Sequence, residues 1–314
     1  MKILEELKGK NKIAISGHIR PDGDCVGSCM GLGLFLKKAM PGAQVDVFLE
    51  EPADIFNCIK DTEQIIHDSQ EERRYDAFIA VDTNAERLGA FKKYFDTADL
   101  TINIDHHISN KDGSAMINYV KPEASSASEL IYEVIDHELL DEEIAKALYI
   151  GIAHDTGVFQ YSNTSPSTLR AAADLIGYGF DFTKIIDETF YEKTFVQNQL
   201  LGKALSDSRL LLDGKCIASW VTKETLEAYG ANSKDLEGIV SQLRYTRGAE
   251  CAVFLYELKE QEFKVSMRSN GKVDVAAVAA NFGGGGHVRA AGCSLCGTPE
   301  TCLEKLLPLI GSQL

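Results

Sequence analysis

Aspartate and histidine side chains recur at four places in the first half of the sequence, in a pattern that suits metal binding. They are His18 with Asp22 and Asp24, then Asp82, then Asp105-His106-His107, and then Asp155. Carboxylate and imidazole ligands without thiolate favour Mn²⁺, Mg²⁺ or similar ions over a structural zinc. More than four candidate ligands, with Asp82 central among them, predict two ions that share a carboxylate. Two ions roughly 3.5–4 Å apart are a common device for hydrolysing phosphate esters, so phosphoester hydrolysis is the first hypothesis.

Each of these positions, taken alone, has an ordinary structural explanation. Asp22 or Asp24 could cap a helix, and an Asp or His at a strand end often only satisfies a loop. Asp155 follows a predicted helix, where an anion is disfavoured by about 0.3–1 kcal/mol, although for this residue alone an exposed Asp in a turn is the favoured explanation. Taken together, at least four carboxylates on one rim would repel each other unless cations neutralise them. The whole set therefore favours metal binding.

Four short apolar runs precede these residues and are typical of buried strands. The runs cover 12–16, 44–49, 76–81 and 100–105, and a stretch with helical spacing covers 27–40. Strands that alternate with helices predict an α/β fold, with a mainly parallel sheet and helices on both faces. In such a sheet the ligand site lies beyond the carboxyl ends of the strands, which is where the Asp and His residues occur.

The length and the later patterning predict two domains. A chain of 314 residues exceeds the roughly 250–300 that one hydrophobic core supports. Helical patterns cover 128–137, 141–153, 165–176 and 181–205, strands are predicted at 216–221, 251–257 and 263–267, and helices at 273–281 and 299–309. We therefore predict an α/β domain over residues 1–190, a helical linker over 191–206 and a smaller α/β domain over 207–314.

The composition excludes several classes of protein. Hydrophobic residues at 45% and charged residues at 25% are globular averages, which excludes wholesale disorder, collagen and coiled coil. The most apolar run, 25–36, is shorter than the roughly 18 residues of a bilayer span, so we expect no membrane association. Residues 1–12 lack the apolar stretch of a signal peptide, so we expect a cytoplasmic location. The eight cysteines are then expected to be free thiols.

The net charge of −15 is concentrated in the first part of the chain. Residues 207–314 carry 13 acidic and 12 basic side chains, whereas residues 1–206 carry 34 acidic and 20 basic ones. Proteins that bind long DNA or RNA usually have a basic surface, because Lys and Arg displace counterions from phosphates. We therefore expect no binding of long duplex nucleic acid.

The order and spacing of the motifs resemble the DHH phosphoesterase superfamily. The matching positions are His18-x3-Asp22-x-Asp24, Asp82, Asp105-His106-His107 and Asp155. The segment Gly283-Gly284-Gly285-Gly286-His287, followed by Ala290-Ala291-Gly292, is similar to the DHH-associated substrate-binding domain. The likeness spans essentially the whole chain and is strongest to NrnA-type members. These degrade very short oligoribonucleotides and dephosphorylate 3′-phosphoadenosine-5′-phosphate (pAp).

This resemblance implies a division of the metal ligands that spacing alone does not supply. One ion would be held by His18, Asp22 and Asp82, and the other by Asp24, Asp82, His106 and Asp155. Asp105 would orient ligands, and His107 would bind the scissile phosphate or donate a proton to the leaving oxygen. The expected ions are two Mn²⁺, with Mg²⁺ as an alternative.

The resemblance also implies that the second domain holds the end of a short nucleotide. The implied contacts are Arg268, Ser269, Asn270, Gly284, Gly285, Gly286, His287 and Arg289. An Arg offers a bidentate fork to phosphate. We expect the backbone N–H groups of the glycine run to approach a phosphate, with a short helix starting near His287 behind them. A flexible loop at 283–286 and an ordinary turn at 268–270 are the alternative explanations.

The sequence is also compatible with other functions. The chain could be a phosphodiesterase for linear or cyclic dinucleotides, or a regulatory protein that binds nucleotides through metal without turnover. A homodimer is compatible with either. The single CxxC, Cys293-x2-Cys296, lacks the second pair of a zinc site. We interpret it, like Cys25 and Cys29, as a set of packing residues.

Overall fold

Two sheets, each with its own helices, organise the chain. The computed structural model describes all residues from 1 to 314, and they divide into two units, Met1–Glu192 and Lys193–Leu314. Both units are α/β, which confirms the predicted fold class. None of the helices combines the length and the apolar character needed to cross a bilayer.

The first unit is built on five parallel strands in the order β2-β1-β3-β4-β5. The strands are β1 (Lys12–Ser16), β2 (Gln44–Phe48), β3 (Ala77–Val81), β4 (Thr101–Asp105) and β5 (Ile117–Val120). The helices are α1 (Ile3–Glu6), α2 (Gly23–Ala39), α3 (Lys92–Thr97), α4 (Ala127–Val134), α5 (Glu142–Asp155), α6 (Pro166–Ile176) and α7 (Phe182–Ile186). The first four strands were predicted to within a residue at each end. Strand β5 was missed because it is a half-exposed edge strand with a weak apolar signal.

Helices cover both faces of this sheet, as predicted. Ile13 and Ile15 of β1 pack in a core with side chains of α2, α4 and α5. Ala14, between them, faces an aromatic cluster on the other side that includes Tyr94 and Phe95 of α3. Successive side chains of a strand point to opposite faces, so β1, β2 and β3 contribute side chains to both cores.

Close contact between α2 and α5 depends on glycine. A Cβ added to Gly27 of α2 would lie 2.6 Å from the carbonyl oxygen of Ala147 and 2.8 Å from the nitrogen of Gly151, both in α5. A glycine at such a position lets two backbones approach where a side chain would separate them. The N-terminus of α2, which follows the first candidate ligands, is thereby held against α5.

The order of the strands creates a crevice at the carboxyl edge of the sheet. Strands β2 and β3 both pair with β1, on opposite sides. From β1 the chain continues to β2 on one side of the sheet, and from β3 it continues to β4 on the other side, so the two connections diverge. Ligands of open α/β sheets bind where the connections diverge in this way. His18 follows β1 and Asp82 follows β3, so the crevice is lined by candidate ligands.

The second unit contains a six-stranded mixed sheet in the order β10-β11-β9-β8-β7-β6. Its strands are β6 (Arg209–Leu211), β7 (Cys216–Val221), β8 (Cys251–Lys259), β9 (Glu262–Ser269), β10 (Gly285–His287) and β11 (Ala290–Cys296). Its helices are α8 (Phe195–Ser206), α9 (Lys223–Ala228), α10 (Ile239–Arg244), α11 (Val275–Ala280) and α12 (Pro299–Gly311). Helix α8 lies in the segment predicted as a linker, and its Leu200 and Ala204 pack on Ile217 and Val221 of β7.

The glycine-rich segment forms a β-hairpin, so the prediction of a short helix starting near His287 was wrong. Strand β10 pairs with β11 in antiparallel register. A Cβ on Gly284 would overlap the carbonyl oxygen of Gly292, and Gly286 has a φ of +146°, a conformation that side chains rarely allow. The glycines therefore permit close packing of two strands, and the segment pairs as a strand instead of forming a helix.

We predict that Gly284→Ala destabilises the second unit. The added methyl group forces β10 and β11 apart, and overpacking of this kind costs roughly 1–3 kcal/mol of unfolding free energy. Gly285→Ala is the matched control, because a Cβ at that position meets no atom within 4 Å. Urea unfolding measures both variants, and equal stability of the two would contradict the packing argument.

Candidate metal centre

Asp82 lies at the centre of the cluster predicted from the sequence. It directly follows β3, its side chain is buried, and its φ of +57° is one that Asp adopts more readily than most residues. Its Oδ2 lies 3.4 Å from Nε2 of His18. Its Oδ1 lies 3.4 Å from Nε2 of His106 and 3.5 Å from Nδ1 of His107. One carboxylate thus joins the segments that follow β1, β3 and β4.

The donor set and one orphaned oxygen fit a divalent cation. Oδ1 of Asp82 is buried and has no hydrogen-bond partner, which is costly for a carboxylate unless an ion compensates it. Three groups bring their ligand atoms within 4.8 Å of one another: His18 with Cys25 and Asp82, Asp82 with His106 and His107, and Asp24 with His106 and Asp155. Asp82 belongs to two of the groups and His106 to two, as expected of adjacent ion sites.

His18 and Asp22 form the side of the cluster that follows β1. Nδ1 of His18 is hydrogen-bonded to the carbonyl oxygen of Ile19 at 2.9 Å, which leaves Nε2 facing Asp82 and Asp22. Asp22 is the N-cap of α2, where its Oδ1 accepts from the nitrogen of Cys25, and it also lies 3.7 Å from His18. Burial disfavours the charged imidazole, but the contacts with Asp22 and Asp82 raise the pKa of His18 to about 11.

Asp24 is held by the N-terminus of another helix. Its buried carboxylate accepts hydrogen bonds from the backbone nitrogens of Ala127 at 2.6 Å and Ser128 at 2.9 Å, at the start of α4. The positive end of the helix dipole stabilises a carboxylate there. Its Oδ2 also lies 3.8 Å from Nε2 of His106. Burial and the nearby carboxylates, Asp82 first among them, nevertheless raise the pKa of Asp24 well above its usual range.

Asp155 completes this side of the cluster. It is the last residue of α5, and its Oδ2 lies 3.7 Å from Nε2 of His106. Burial raises the pKa of Asp155 to about 6; the nearby imidazole of His106 opposes this effect, and the carboxylate of Asp82 adds to it. A nearby cation favours the charged form of a carboxyl group, so a bound ion would lower the raised pKa values of Asp24 and Asp155.

Asp105 organises the turn that carries both imidazoles. Its Oδ1 accepts hydrogen bonds from the backbone nitrogens of His106 and His107 at 2.8 and 3.1 Å, and it lies 2.8 Å from Nδ1 of His107. The contact with Asp105 is the main reason why the pKa of His107 is raised. With Nδ1 engaged, the remaining ring nitrogen of the half-buried His107 is directed away from Asp105.

Two buried asparagines that sequence reasoning missed support this turn. Nδ2 of Asn103 donates to the carbonyl oxygen of Thr83 at 2.7 Å, and its Oδ1 accepts from Nδ2 of Asn110 at 2.8 Å. Asn110 also donates to Oδ2 of Asp105 at 2.7 Å. This chain of bonds ties the segment after β3 to the segment after β4. The available signal was a polar Asn in the middle of an apolar strand.

The cysteines are free thiols, as expected. Cys25 and Cys29 are buried in the core of the first unit. The Cys25 thiol nevertheless lies beside His18 and Asp82, and burial together with Cys29 raises its pKa. Cys293 and Cys302 are buried in the second unit.

Comparison with known proteins identifies the family. Residues 12–152 match the DHH family, N-terminal domain, and residues 213–314 match the DHHA1 domain. The chain is 30% identical to a Thermus thermophilus protein named bifunctional oligoribonuclease and PAP phosphatase NrnA, over 99% of this chain and 93% of that protein. The chain belongs to the DHH family.

Other known proteins also resemble this DHH-family chain over most of its length. A Bacillus subtilis protein of the same name is 30% identical, with 93% of this chain and 92% of that protein covered. The crystal structure of an exopolyphosphatase-related protein from Bacteroides fragilis has a TM-score of 0.88 at 25% identity, and the match covers 99% of this chain and 94% of that one. The resemblance inferred from the motifs is thereby confirmed.

In the DHHA1 domain, the two segments predicted to contact substrate are neighbours. Arg268 of β9 pairs in register with Ala290 of β11, and the carbonyl oxygen of Arg289 accepts from the nitrogen of Ser269 at 2.9 Å. His287 and Arg289 are exposed at the hairpin.

Two of the predicted substrate contacts stabilise the turn after β9. Ser269 Oγ accepts from the nitrogen of Gly271, and Nδ2 of Asn270 donates to the carbonyl oxygens of Arg244 and Ala249. These side chains therefore shape the turn that directly follows Arg268 and the end of β9.

We predict that Asp82→Ala weakens Mn²⁺ binding by more than roughly 100-fold, the upper end of the loss expected for an outer-shell partner of a metal. The physical reason is that Asp82 is shared by two of the ligand groups. Isothermal titration with Mn²⁺ measures the affinity, and circular dichroism verifies the fold. Asp99→Ala is the control, because Asp99 pairs with Arg74 on the surface. An unchanged Mn²⁺ affinity in the Asp82→Ala variant would show that Asp82 is not a ligand of the metal.

Proposed function

We propose that this DHH-family chain is a metal-dependent phosphoesterase that hydrolyses short oligoribonucleotides to mononucleotides and removes the 3′-phosphate of pAp. The observation that carries the proposal is the buried Asp82 carboxylate, which three imidazoles surround and which retains an oxygen without a partner. The substrates are supported by the relatives named oligoribonuclease and PAP phosphatase, which match nearly the whole chain.

The centre is proposed to hold two Mn²⁺ ions, with Mg²⁺ as an alternative. The proposed ligands are His18, Asp22 and Asp82 for one ion, and Asp24, Asp82, His106 and Asp155 for the other. The mixture of carboxylate and imidazole supports Mn²⁺ among the divalent ions. Bound ions of this kind supply positive charge that activates water and offsets the charge of a phosphate.

His107 is proposed to act on the substrate directly, and Asp105 to position it. Because Asp105 engages Nδ1 of His107, the ring has one fixed orientation. Its other nitrogen can then bind the phosphate or donate a proton to the leaving oxygen. The hydrogen bonds that the buried Asp105 carboxylate accepts from the backbone nitrogens of His106 and His107 support a positioning role for it.

The DHHA1 domain is proposed to hold the phosphate end of a short nucleotide. Arg268, His287 and Arg289 would supply the charged or polar side chains. The backbone of Gly284–Gly286, which is exposed at Gly285 and Gly286, would lie alongside the bound phosphate. Support comes from the adjacency of β9, β11 and β10, which brings these residues to one side of the sheet. Ser269 and Asn270 would contribute by keeping the turn in place.

A parallel assay tests the proposed substrates. Purified protein with Mn²⁺ is offered a labelled diribonucleotide, pAp, a cyclic dinucleotide and a long RNA, with EDTA and the Asp82→Ala variant as controls. We expect the diribonucleotide and pAp to be hydrolysed and the long RNA to react far more slowly, since residues 1–206 are strongly acidic. Turnover of the cyclic dinucleotide alone would favour a dinucleotide phosphodiesterase. Binding of pAp without hydrolysis of any substrate would favour a regulatory protein.

We predict that Arg268→Ala raises the KM for the diribonucleotide about 10–100-fold with a smaller change in kcat. A hydrogen bond to a charged group contributes roughly 1.5–3 kcal/mol, and each 1.4 kcal/mol corresponds to a factor of ten in affinity. Arg209→Ala is the matched control, because Arg209 lies on the edge strand β6 over the ring of Trp220. Steady-state kinetics of both variants checks the prediction, and an unchanged KM for Arg268→Ala would mean that phosphate binds elsewhere.

A further inference from the structure

The segment 125–128 lies between two carboxylates of the candidate centre. Its backbone nitrogens at Ala127 and Ser128 hold the Asp24 carboxylate through bonds of 2.6 and 2.9 Å. Because a small displacement of the segment would move both donors, the orientation of Asp24 depends on where the segment lies.

The other side of the same segment is connected to Asp155. The carbonyl oxygen of Ser125 accepts from Nδ2 of Asn163 at 2.9 Å. The same Nδ2 lies 3.1 Å from the carbonyl oxygen of Asp155 and 3.4 Å from its Oδ2. The segment therefore contacts Asp24 directly and Asp155 through one amide group, and both carboxylates lie beside His106.

Glu129 anchors this segment from the side away from the ligands. Its carboxylate is 2% exposed, and Oε2 accepts from the nitrogen of Ser125 at 3.0 Å, from Ser125 Oγ at 2.6 Å and from Thr168 Oγ1 at 2.9 Å. Burial disfavours the carboxylate, but the bonds from Ser125 lower the pKa of Glu129 below its usual range. Three donors on one buried oxygen make a strong anchor, because each would be left unsatisfied by its loss.

Close packing, together with the bonds to Glu129, holds the segment 125–128 in a single position. Residues 125–128 are fully buried. Helix α5 packs directly on them, since a Cβ added to Gly151 would overlap the hydroxyl of Ser128. In such a densely packed region a lost anchor is relieved by displacement of the backbone, not by a simple change of rotamer.

We propose that Glu129 is a positioning residue that acts through the segment 125–128. The ion concerned is the one with the proposed ligands Asp24, Asp82, His106 and Asp155. This inference rests on the two-ion function proposed above. Only one of the two ions should depend on Glu129. The hydrogen bonds of the segment hold Asp24 and Asp155, and none of them involves His18 or Asp22, which are proposed ligands of the other ion. Loss of an outer-shell partner typically costs 10–100-fold in metal affinity, and here the loss should fall on one ion only.

Mn²⁺ titration by calorimetry, together with electron paramagnetic resonance of the loaded protein, tests the proposal. Wild type is expected to bind two ions and to give the spectrum of a coupled Mn²⁺ pair. Glu129→Ala is expected to bind one ion normally and the second about 10–100-fold more weakly. At Mn²⁺ concentrations that fill only the first site, this variant should give the spectrum of isolated Mn²⁺. Glu129→Gln retains an acceptor oxygen and should recover much of the second affinity.

Glu133→Ala is the matched control on the same helix. Glu133 bonds to Lys121 and Tyr119, so its loss should leave both ions and the coupled spectrum unchanged. Should Glu129→Ala fail to fold, Ser125→Ala replaces it, because it removes only the hydroxyl bond to Glu129 and should weaken the second ion to a smaller extent.

The outcomes distinguish this inference from the function on which it rests. A wild-type protein that binds fewer than two Mn²⁺ ions would overturn the two-ion centre itself. If wild type binds two ions, an unchanged second affinity in the folded Glu129→Ala and Ser125→Ala variants would overturn the positioning role. Equal weakening of both ions would overturn it as well, because a general loss of structure predicts that pattern.

Discussion

Electrostatic repulsion among buried carboxylates is the constraint on which the first unit depends. Asp24, Asp82 and Asp105 are each almost fully buried at one edge of the sheet. Asp24 is compensated by the N-terminus of α4, and Asp105 by the turn it organises and by Asn110. Asp82 lies among three imidazoles and has one oxygen without a hydrogen-bond partner. The need for a cation is therefore greatest at the residue that all the surrounding segments share.

Two separate hydrogen-bonded frameworks hold the ligands around Asp82. Asn103 and Asn110 join the segments that follow β3 and β4, whereas Glu129 anchors the segment that contacts Asp24. Neither framework uses a metal ligand as its central member. A site supported in this way is arranged before an ion binds, which reduces the ordering that binding must impose.

The DHHA1 domain illustrates how tertiary pairing overrides a local interpretation. Four consecutive glycines are compatible with a loop, with the approach to a helix or with a strand, because glycine restricts the backbone least. Only the pairing of β10 with β11 selects the strand. The predicted substrate residues are nevertheless neighbours, because β9, β11 and β10 are adjacent in one sheet.

The sequence by itself determined the first four strands, the α/β class and the identity of the Asp and His cluster. These features depend on local apolar runs and on the rule that parallel strands end at one edge. The roles of Asn110, Glu129 and Asn163 were decided only by the tertiary structure. Their partners include groups brought close by packing, as in the bond between Thr168 and Glu129, and periodicity along the chain carries no information about such contacts.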